Sequence, residues 1–236
     1  MLTQTRRCST WLTVQSLSRG KDAKNIRGFE GLAAGGETDP TRDNKELPDI
    51  ITRYAAFEEK VRDLIAHDCS PRCSSCTAVC CKPEFCREAL DSPFLSMLRN
   101  AFPPAESYRQ ESGWLTETGC ALRAGRPPIC YEFLCQDIVE TRETDAAKYV
   151  LSVLCRLVTH MGRFVSGRRH IVEWMDVEDP GAIRLSRFEK RLKEAEAAFS
   201  IIRSFQRNGI VSDREWPVLF NILKLAESAK RKIAQR

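Results

Sequence analysis

The stretch that decides the fold runs from Cys69 to Cys135 and contains two cysteine-rich blocks, CSPRCSSCTAVCCKPEFC (69–86) and GCALRAGRPPICYEFLC (119–135). Of the eleven cysteines in the chain, only Cys8 and Cys155 lie outside this stretch. A thiolate is a soft ligand that suits zinc and iron–sulfur clusters. The stretch therefore predicts a thiolate metal site, carried as a Cys-rich insert with long loops.

Cysteine spacing also bears on the cellular compartment. The cysteines are odd in number and bunched, with a two-residue gap between Cys73 and Cys76, which favours metal ligands over disulfides in a reducing cytosol. The segment Leu12–Leu17 is too short and too polar for the apolar core of a secretory signal. We therefore predict a cytoplasmic metal protein, with a disulfide scaffold as the alternative if the chain is exported.

Composition places the chain among globular proteins. It has 236 residues, of which 42% are hydrophobic, and a net charge of +5. No apolar run approaches the ~20 residues of a membrane span, so we expect no membrane partner. A mild positive charge leaves nucleic acid open as a partner. Turn formers without periodicity over residues 1–45 favour a disordered extension, with a targeting peptide as the alternative. We expect residues 46–236 to form a single domain.

Apolar periodicity predicts helices on both sides of the first cysteine block. A helix over 46–67 buries Ile50, Tyr54, Phe57, Val61 and Leu64, with Glu58 on its polar side, and Pro71 should end the helical path. A second helix over 84–102 should kink or split at Pro93. Residues 105–128 are mostly loop. Residues 131–167 should be helical again, with Cys155 as a buried apolar residue off the main stripe.

The C-terminal part of the sequence predicts two further helices. Residues 170–175 (HIVEWM) are the only candidate strand. Ser186 with Glu189 has the spacing of a capping box, and Gly209 suits the end of the helix that follows. Ser212 with Glu215 forms a second such pair before the last helix. The predicted fold is therefore mostly α.

The spacing of the cysteines indicates how many metal centres the predicted site contains. The adjacent pair Cys80–Cys81 favours two metal centres, because neighbouring side chains usually diverge; otherwise one member points elsewhere. Folding must bring the second block over, and Arg126 can offset thiolate charge there through hydrogen bonds to sulfur. We expect bound metal to supply much of the order of 69–135, because apolar anchors look few. The candidate ligands are Cys73, Cys76, Cys80, Cys81, Cys86, Cys120, Cys130 and Cys135.

The two blocks resemble the YkgJ-type cysteine-cluster proteins, whose motif reads C-x2-C-x2-C-C, then C-x-F-L, then C-x-I-Y-x-x-R-P-x-x-C-x-x-F. The matching positions are Cys73, Cys76, Cys80, Cys81, Leu115, Cys120, Arg126, Pro127, Cys130 and Phe133. The resemblance covers about residues 69–135. It implies a zinc- or iron-chelating domain, and members of that family are described as iron–sulfur oxidoreductases.

Three positions depart from the family motif. Three residues, not two, separate Cys76 from Cys80, and Arg123 stands where the family has tyrosine. Ser112 falls where the middle block would place a cysteine. If a ligand is lost there, Cys86 or Cys135 is the natural replacement.

Three functional hypotheses follow. An all-thiolate, oversupplied site favours an iron–sulfur protein with a redox or electron-transfer role and an unknown redox or protein partner. The alternative is a non-catalytic zinc module that binds a protein or nucleic acid. A cysteine-based enzyme ranks last, because no Cys–His pair is visible.

Overall fold

A computed structural model of the protein describes residues 40–73, 81–175 and 183–223, without the side chains of 40–45 and of Glu88. This part of the chain is mostly helical, which confirms the predicted fold class. None of its helices is both long and apolar enough to cross a membrane. In chain order the elements are α1 (Pro40–Cys73), α2 (Pro83–Asp91), α3 (Pro93–Ala101), β1 (Leu115–Thr116), β2 (Gly119–Cys120), α4 (Ile129–Glu132), α5 (Gln136–Glu140), α6 (Asp145–Gly162), a 3₁₀ turn (Ile171–Glu173), α7 (Leu185–Asn208) and α8 (Trp216–Leu223).

Helix α1 extends beyond the predicted limits of 46–67 at both ends. Its first six residues belong to the predicted extension, and residues 1–39 of that extension lie outside the described part of the chain. Pro71 does not end the helix, because a proline in the last turn removes only its own amide hydrogen bond. The predicted apolar stripe is confirmed, with Tyr54, Phe57 and Val61 fully buried.

The main core lies where α6 packs against α7, with α1 and α8 against the same pair. From α6, Val153, Leu157 and Met161 are fully buried, and they lie in the predicted stripe. Edge-to-face rings of Phe57 and Phe199 join α1 to α7, with centroids 5.9 Å apart. These helices keep the amphipathic periodicity on which the prediction rested.

The predicted helix over 131–167 is wrong as one element, because the chain breaks twice within it. Phe133 and Cys135 adopt extended backbone, which separates α4 from α5. Thr144 then caps α6, since its hydroxyl accepts a hydrogen bond from Ala147 N at 3.1 Å. This cap, followed by Asp145 in the first turn, was a readable start signal.

Two other predictions are wrong for local reasons. Residues 170–175 form a 3₁₀ turn and not a strand, because His170 Nδ1 accepts the Val172 amide and the Glu173 carboxylate accepts the His170 amide. Helix α7 begins at Leu185, so Ser186 is not its N-cap.

Three start and stop signals are confirmed. Ser92 and Pro93 split the second helical segment, and the Ser92 hydroxyl accepts from Leu95 N at 3.3 Å. Gly209 ends α7 with a left-handed φ of 72°. Ser212 N donates to the Glu215 carboxylate at 2.8 Å just before α8.

The stretch from Cys69 to Cys135 has more apolar anchors than expected. Trp114, Leu122 and Tyr131 are each less than 5% exposed. Phe94, Leu95 and Leu98 of α3 are fully buried as well. Ordinary packing therefore supplies part of the order that we expected from metal.

Candidate metal centre

Four cysteines of the two blocks lie in one region of the structure, at separations from which their charges act on one another. Cys81 precedes α2, Cys86 lies within it, Cys120 ends β2 and Cys130 lies in α4. Burial is the largest cause that raises the pKa of Cys81, Cys86 and Cys130, and the charge of Cys120 raises all three as well. Cys120 is thus within electrostatic range of the other three. We call these residues the four-thiol group.

Members of the group differ in accessibility. The side chains of Cys86 and Cys120 are partly buried, while Cys81 and Cys130 reach the surface. Although Cys130 reaches the surface, burial among its neighbours remains the chief cause of its raised pKa. Without a compensating cation, Cys81, Cys86 and Cys130 therefore favour the protonated thiol over the thiolate.

A glycine lets the loop after α3 approach Cys86. Gly113 has a φ of 64°, and a Cβ at this position would overlap the Cys86 sulfur. The next residue, Trp114, donates a backbone hydrogen bond to Cys86 that lowers its pKa. The two-stranded hairpin follows, with Leu115 paired to Cys120. The loop that approaches Cys86 on α2 thus leads directly into the hairpin that carries Cys120.

A buried carboxylate on α1 fixes the chain that leads to Cys130. Glu58 is fully buried and accepts from Gly125 N at 2.8 Å, Arg126 N at 2.9 Å and the Tyr131 hydroxyl at 2.7 Å. Burial raises its pKa, while these hydrogen bonds oppose that shift. The prediction that Glu58 lies on the polar side of its helix is wrong. Its partners lie 67 or more residues further along the chain, so no local pattern could reveal them.

Arg126 acts on the group through charge. Its guanidinium donates to the carbonyl oxygens of Leu122 at 3.2 Å and Cys120 at 3.4 Å, so its described hydrogen bonds run to backbone and not to sulfur. Its positive charge lowers the pKa of both Cys81 and Cys130. The predicted role in offsetting thiolate charge therefore has an electrostatic basis here.

The other four predicted ligands differ in where they lie and in whether the structure describes them. Cys73 ends α1 and is exposed, and Cys135 precedes α5 and is partly buried. Cys76 and Cys80 lie outside the described residues. Across residues 46–73, 81–175 and 183–223, no three His, Cys, Asp or Glu side chains are arranged closely enough to hold a metal ion. The four thiols are thus neighbours that must draw closer to share one.

Residues beside the predicted site behave as packing or surface groups. Cys155 is 3% exposed, which confirms its prediction as a buried apolar residue, and Cys69 is buried on α1. Burial raises the pKa of Cys155, and the charge of Cys69 adds to that shift. The side chain of His67 is 83% exposed, so it faces solvent.

Comparison with known proteins gives no assignment. No family model matches the chain, and neither a curated protein nor a solved structure matches it.

Proposed function

We propose that this chain is a cysteine-cluster metal protein of the YkgJ type, whose insert over residues 69–135 binds an iron–sulfur cluster. The observation that carries the proposal is the four-thiol group. Its members come from both sequence blocks, and each is within electrostatic range of Cys120. Such convergence of the two blocks is what a shared site requires.

The chemistry of the donor set fits a soft metal. The described group consists of thiols alone, and all four are reduced. Burial and mutual repulsion raise the pKa of three of them, and a bound cation would remove both penalties. Four thiolates are the usual ligand set for iron–sulfur clusters. A cluster held there would supply one-electron transfer.

Residues around the thiols have distinct roles in this proposal. Glu58 holds the backbone of Gly125 and Arg126, which sets the path into Cys130. The Arg126 guanidinium offsets the negative charge of an all-thiolate centre. Trp114 donates to Cys86, a backbone hydrogen bond of the kind that tunes cluster potentials. Cys73, Cys76, Cys80 and Cys135 remain candidate ligands for a second centre.

A zinc module is the second candidate, and one observation favours it. The four-thiol group has the number of ligands that one structural zinc needs. In this case the helical core would bind a protein or nucleic-acid partner, and the metal would serve folding. Either candidate suits a reducing cytoplasm, where thiols persist.

Anaerobic purification followed by metal analysis and visible spectroscopy tests the proposal. We expect brown protein with iron and sulfide, and loss of both in Cys120→Ser and Cys130→Ser. The control is Cys155→Ser, which changes a buried thiol outside the group and should keep its colour. Colourless protein with stoichiometric zinc would favour the zinc module. Protein that retains neither metal, under conditions in which it folds, would overturn both candidates.

A further inference from the structure

A cleft of about 780 Å³ opens on the side of α4 where the chain leads into Cys130. Ligand sites in proteins commonly measure about 300–1,000 Å³. Pro128 and Ile129 form part of its wall, and residues 163–175 form much of the rest. The sequence carries no motif in this second segment, and none of the described cysteines lines the cleft.

The charged side chains that line the cleft differ in whether they have partners within the protein. Of its carboxylates, Glu132 pairs with Arg156 at 2.9 Å and also accepts from Thr159, and Glu173 accepts from the amide of His170 at 3.3 Å. Asp91 is exposed at the end of α2. Two of the three carboxylates are thus engaged with the protein itself.

Arg163 differs from these two carboxylates in its interactions with the protein. Its side chain is only partly exposed, and within the described ranges it forms neither a side-chain hydrogen bond nor an ion pair. Burial and the positive charges of Arg156 and Arg191 lower its pKa, against a smaller opposing effect of Glu132. A second cation of the cleft, Arg168, is exposed. The cleft therefore contains a partly desolvated guanidinium whose N–H donors are available to a ligand.

Backbone strain lies beside this arginine. Phe164 has a φ of 61°, which makes it the one non-glycine residue with positive φ in the described part of the chain. Such a conformation costs about 1–2 kcal/mol for an L-residue and concentrates at ligand sites. Arg187 holds it by donating to the Phe164 carbonyl at 3.3 Å. The strained turn places Arg163 and Phe164 on the cleft wall.

Apolar groups line another part of the wall. Met175 is 59% exposed, and Val172 and Ile129 are partly exposed. His170 is not available for chemistry, because Nδ1 accepts from Val172 N and Nε2 donates to the Thr159 carbonyl. The cleft thus combines an open cation with an apolar surface.

We propose that this cleft binds a small organic anion. Arg163 holds its carboxylate or phosphate group, with Arg168 as the second cation. Its apolar body lies against Ile129, Val172 and Met175. A guanidinium fork matches the paired oxygens of either anionic group. The proposal does not rest on the metal, since it uses none of the cysteines.

NMR titration of the full-length ¹⁵N-labelled protein tests the proposal with three probes that share one aromatic ring. Benzoate and phenyl phosphate carry the two anionic groups, and benzyl alcohol is the neutral control. We expect saturable shifts of the amides of residues 163–175 with at least one anion, and about tenfold weaker binding of the alcohol. The stronger anion identifies the group that the site prefers. Absence of binding by both anions, or equal binding of the alcohol, would overturn the proposal.

Variants assign the binding to Arg163. Arg163→Gln should weaken the anion at least tenfold, whereas the control Arg169→Gln, an exposed arginine outside the cleft, should change its affinity less than twofold. Because Arg163 makes no ion pair with described residues, Arg163→Gln should also keep the thermal midpoint of the free protein. If it fails to fold, Arg163→Lys replaces it, and this variant should weaken benzoate several-fold by losing the fork. Unchanged anion affinity in the Arg163 variant, or equal losses in both arginine variants, would overturn the assignment.

Discussion

The helical core and the cysteine region are held together in different ways. In α6, α7 and α8, continuous stripes of apolar side chains fix the arrangement, and Leu157, Phe188 and Leu219 are fully buried. In residues 81–135, a few anchors are supplemented by single hydrogen bonds from α1, of which those to Glu58 are the most buried. The first arrangement spreads stability over many contacts. The second concentrates it at a few points, so single substitutions should act more strongly there.

The largest effect should come from removing the buried carboxylate of α1. Glu58→Ala leaves two backbone amides and the Tyr131 hydroxyl without their acceptor, so we expect a loss of about 3–5 kcal/mol in the free energy of unfolding. Urea unfolding measures it. Glu59→Ala is the matched control, because Glu59 makes only a surface pair with Arg62. Similar losses in both variants would contradict the contrast between the two regions.

Substitution of two glycines with similar φ angles distinguishes steric crowding from backbone strain. Gly113→Ala should cost about 2–4 kcal/mol, because it adds a Cβ that overlaps the Cys86 sulfur at a φ of 64°. Gly167→Ala has a φ of 60° and nothing within 4 Å of the added Cβ, so about 1 kcal/mol is expected. Thermal unfolding of the two variants checks the difference. Metal content provides a second readout, since only Gly113→Ala should displace Cys86.

We expect the free energy of unfolding to depend on pH through His170. Burial lowers the pKa of His170 to about 4, below its ordinary value of 6.5, so folding favours the neutral imidazole. This contribution, at most ~3 kcal/mol, is fully present above pH 6.5 and is lost as the pH falls towards 4. His170→Gln removes the titration, so the stability gap between wild type and variant should shrink over this window. Urea unfolding at several pH values measures the gap, and a constant gap would refute the assignment.

The smallest effect should come from a helix cap in the core. Thr144→Ala removes the acceptor for Ala147 N at the start of α6 and should cost about 1 kcal/mol. Glu143→Ala changes its exposed neighbour and should leave stability within about 0.5 kcal/mol of wild type. A loss at Thr144 as large as that at Glu58 would mean that the core also depends on single points.

The sequence was informative wherever structure depends on local periodicity. The stripes of α6 and α7 and the stop at Gly209 were predictable, because amphipathic helices and left-handed glycine caps leave a local pattern. A metal shared by Cys81, Cys120 and Cys130 stays a prediction, which rests on their common chemistry as soft ligands.

Features that depend on distant partners could not be predicted. A glutamate on a helix normally faces water, and only the loop at Gly125 makes burial of Glu58 favourable. The break after α4 and the cleft at Arg163 likewise left no local pattern, whereas the break after α5 is marked by the Thr144 cap. The 3₁₀ turn at 171–173 was missed because the side chains of His170 and Glu173 compete with the backbone pairing of a strand.

Helix α1 has a mechanical consequence. At about 1.5 Å per residue, its 34 residues form a rod about 50 Å long. Glu58 and Arg62 lie one turn apart on α1. Glu58 accepts from the Gly125 amide, and Arg62 donates to the Arg123 carbonyl at 2.7 Å, so the helix holds the loop at two points and opposes its rotation. Further along, Asp68 accepts from Gln206 near the end of α7 at 2.7 Å. The cysteine loop and the end of α7 are therefore held by the same helix, through contacts only ten residues, or about 15 Å, apart.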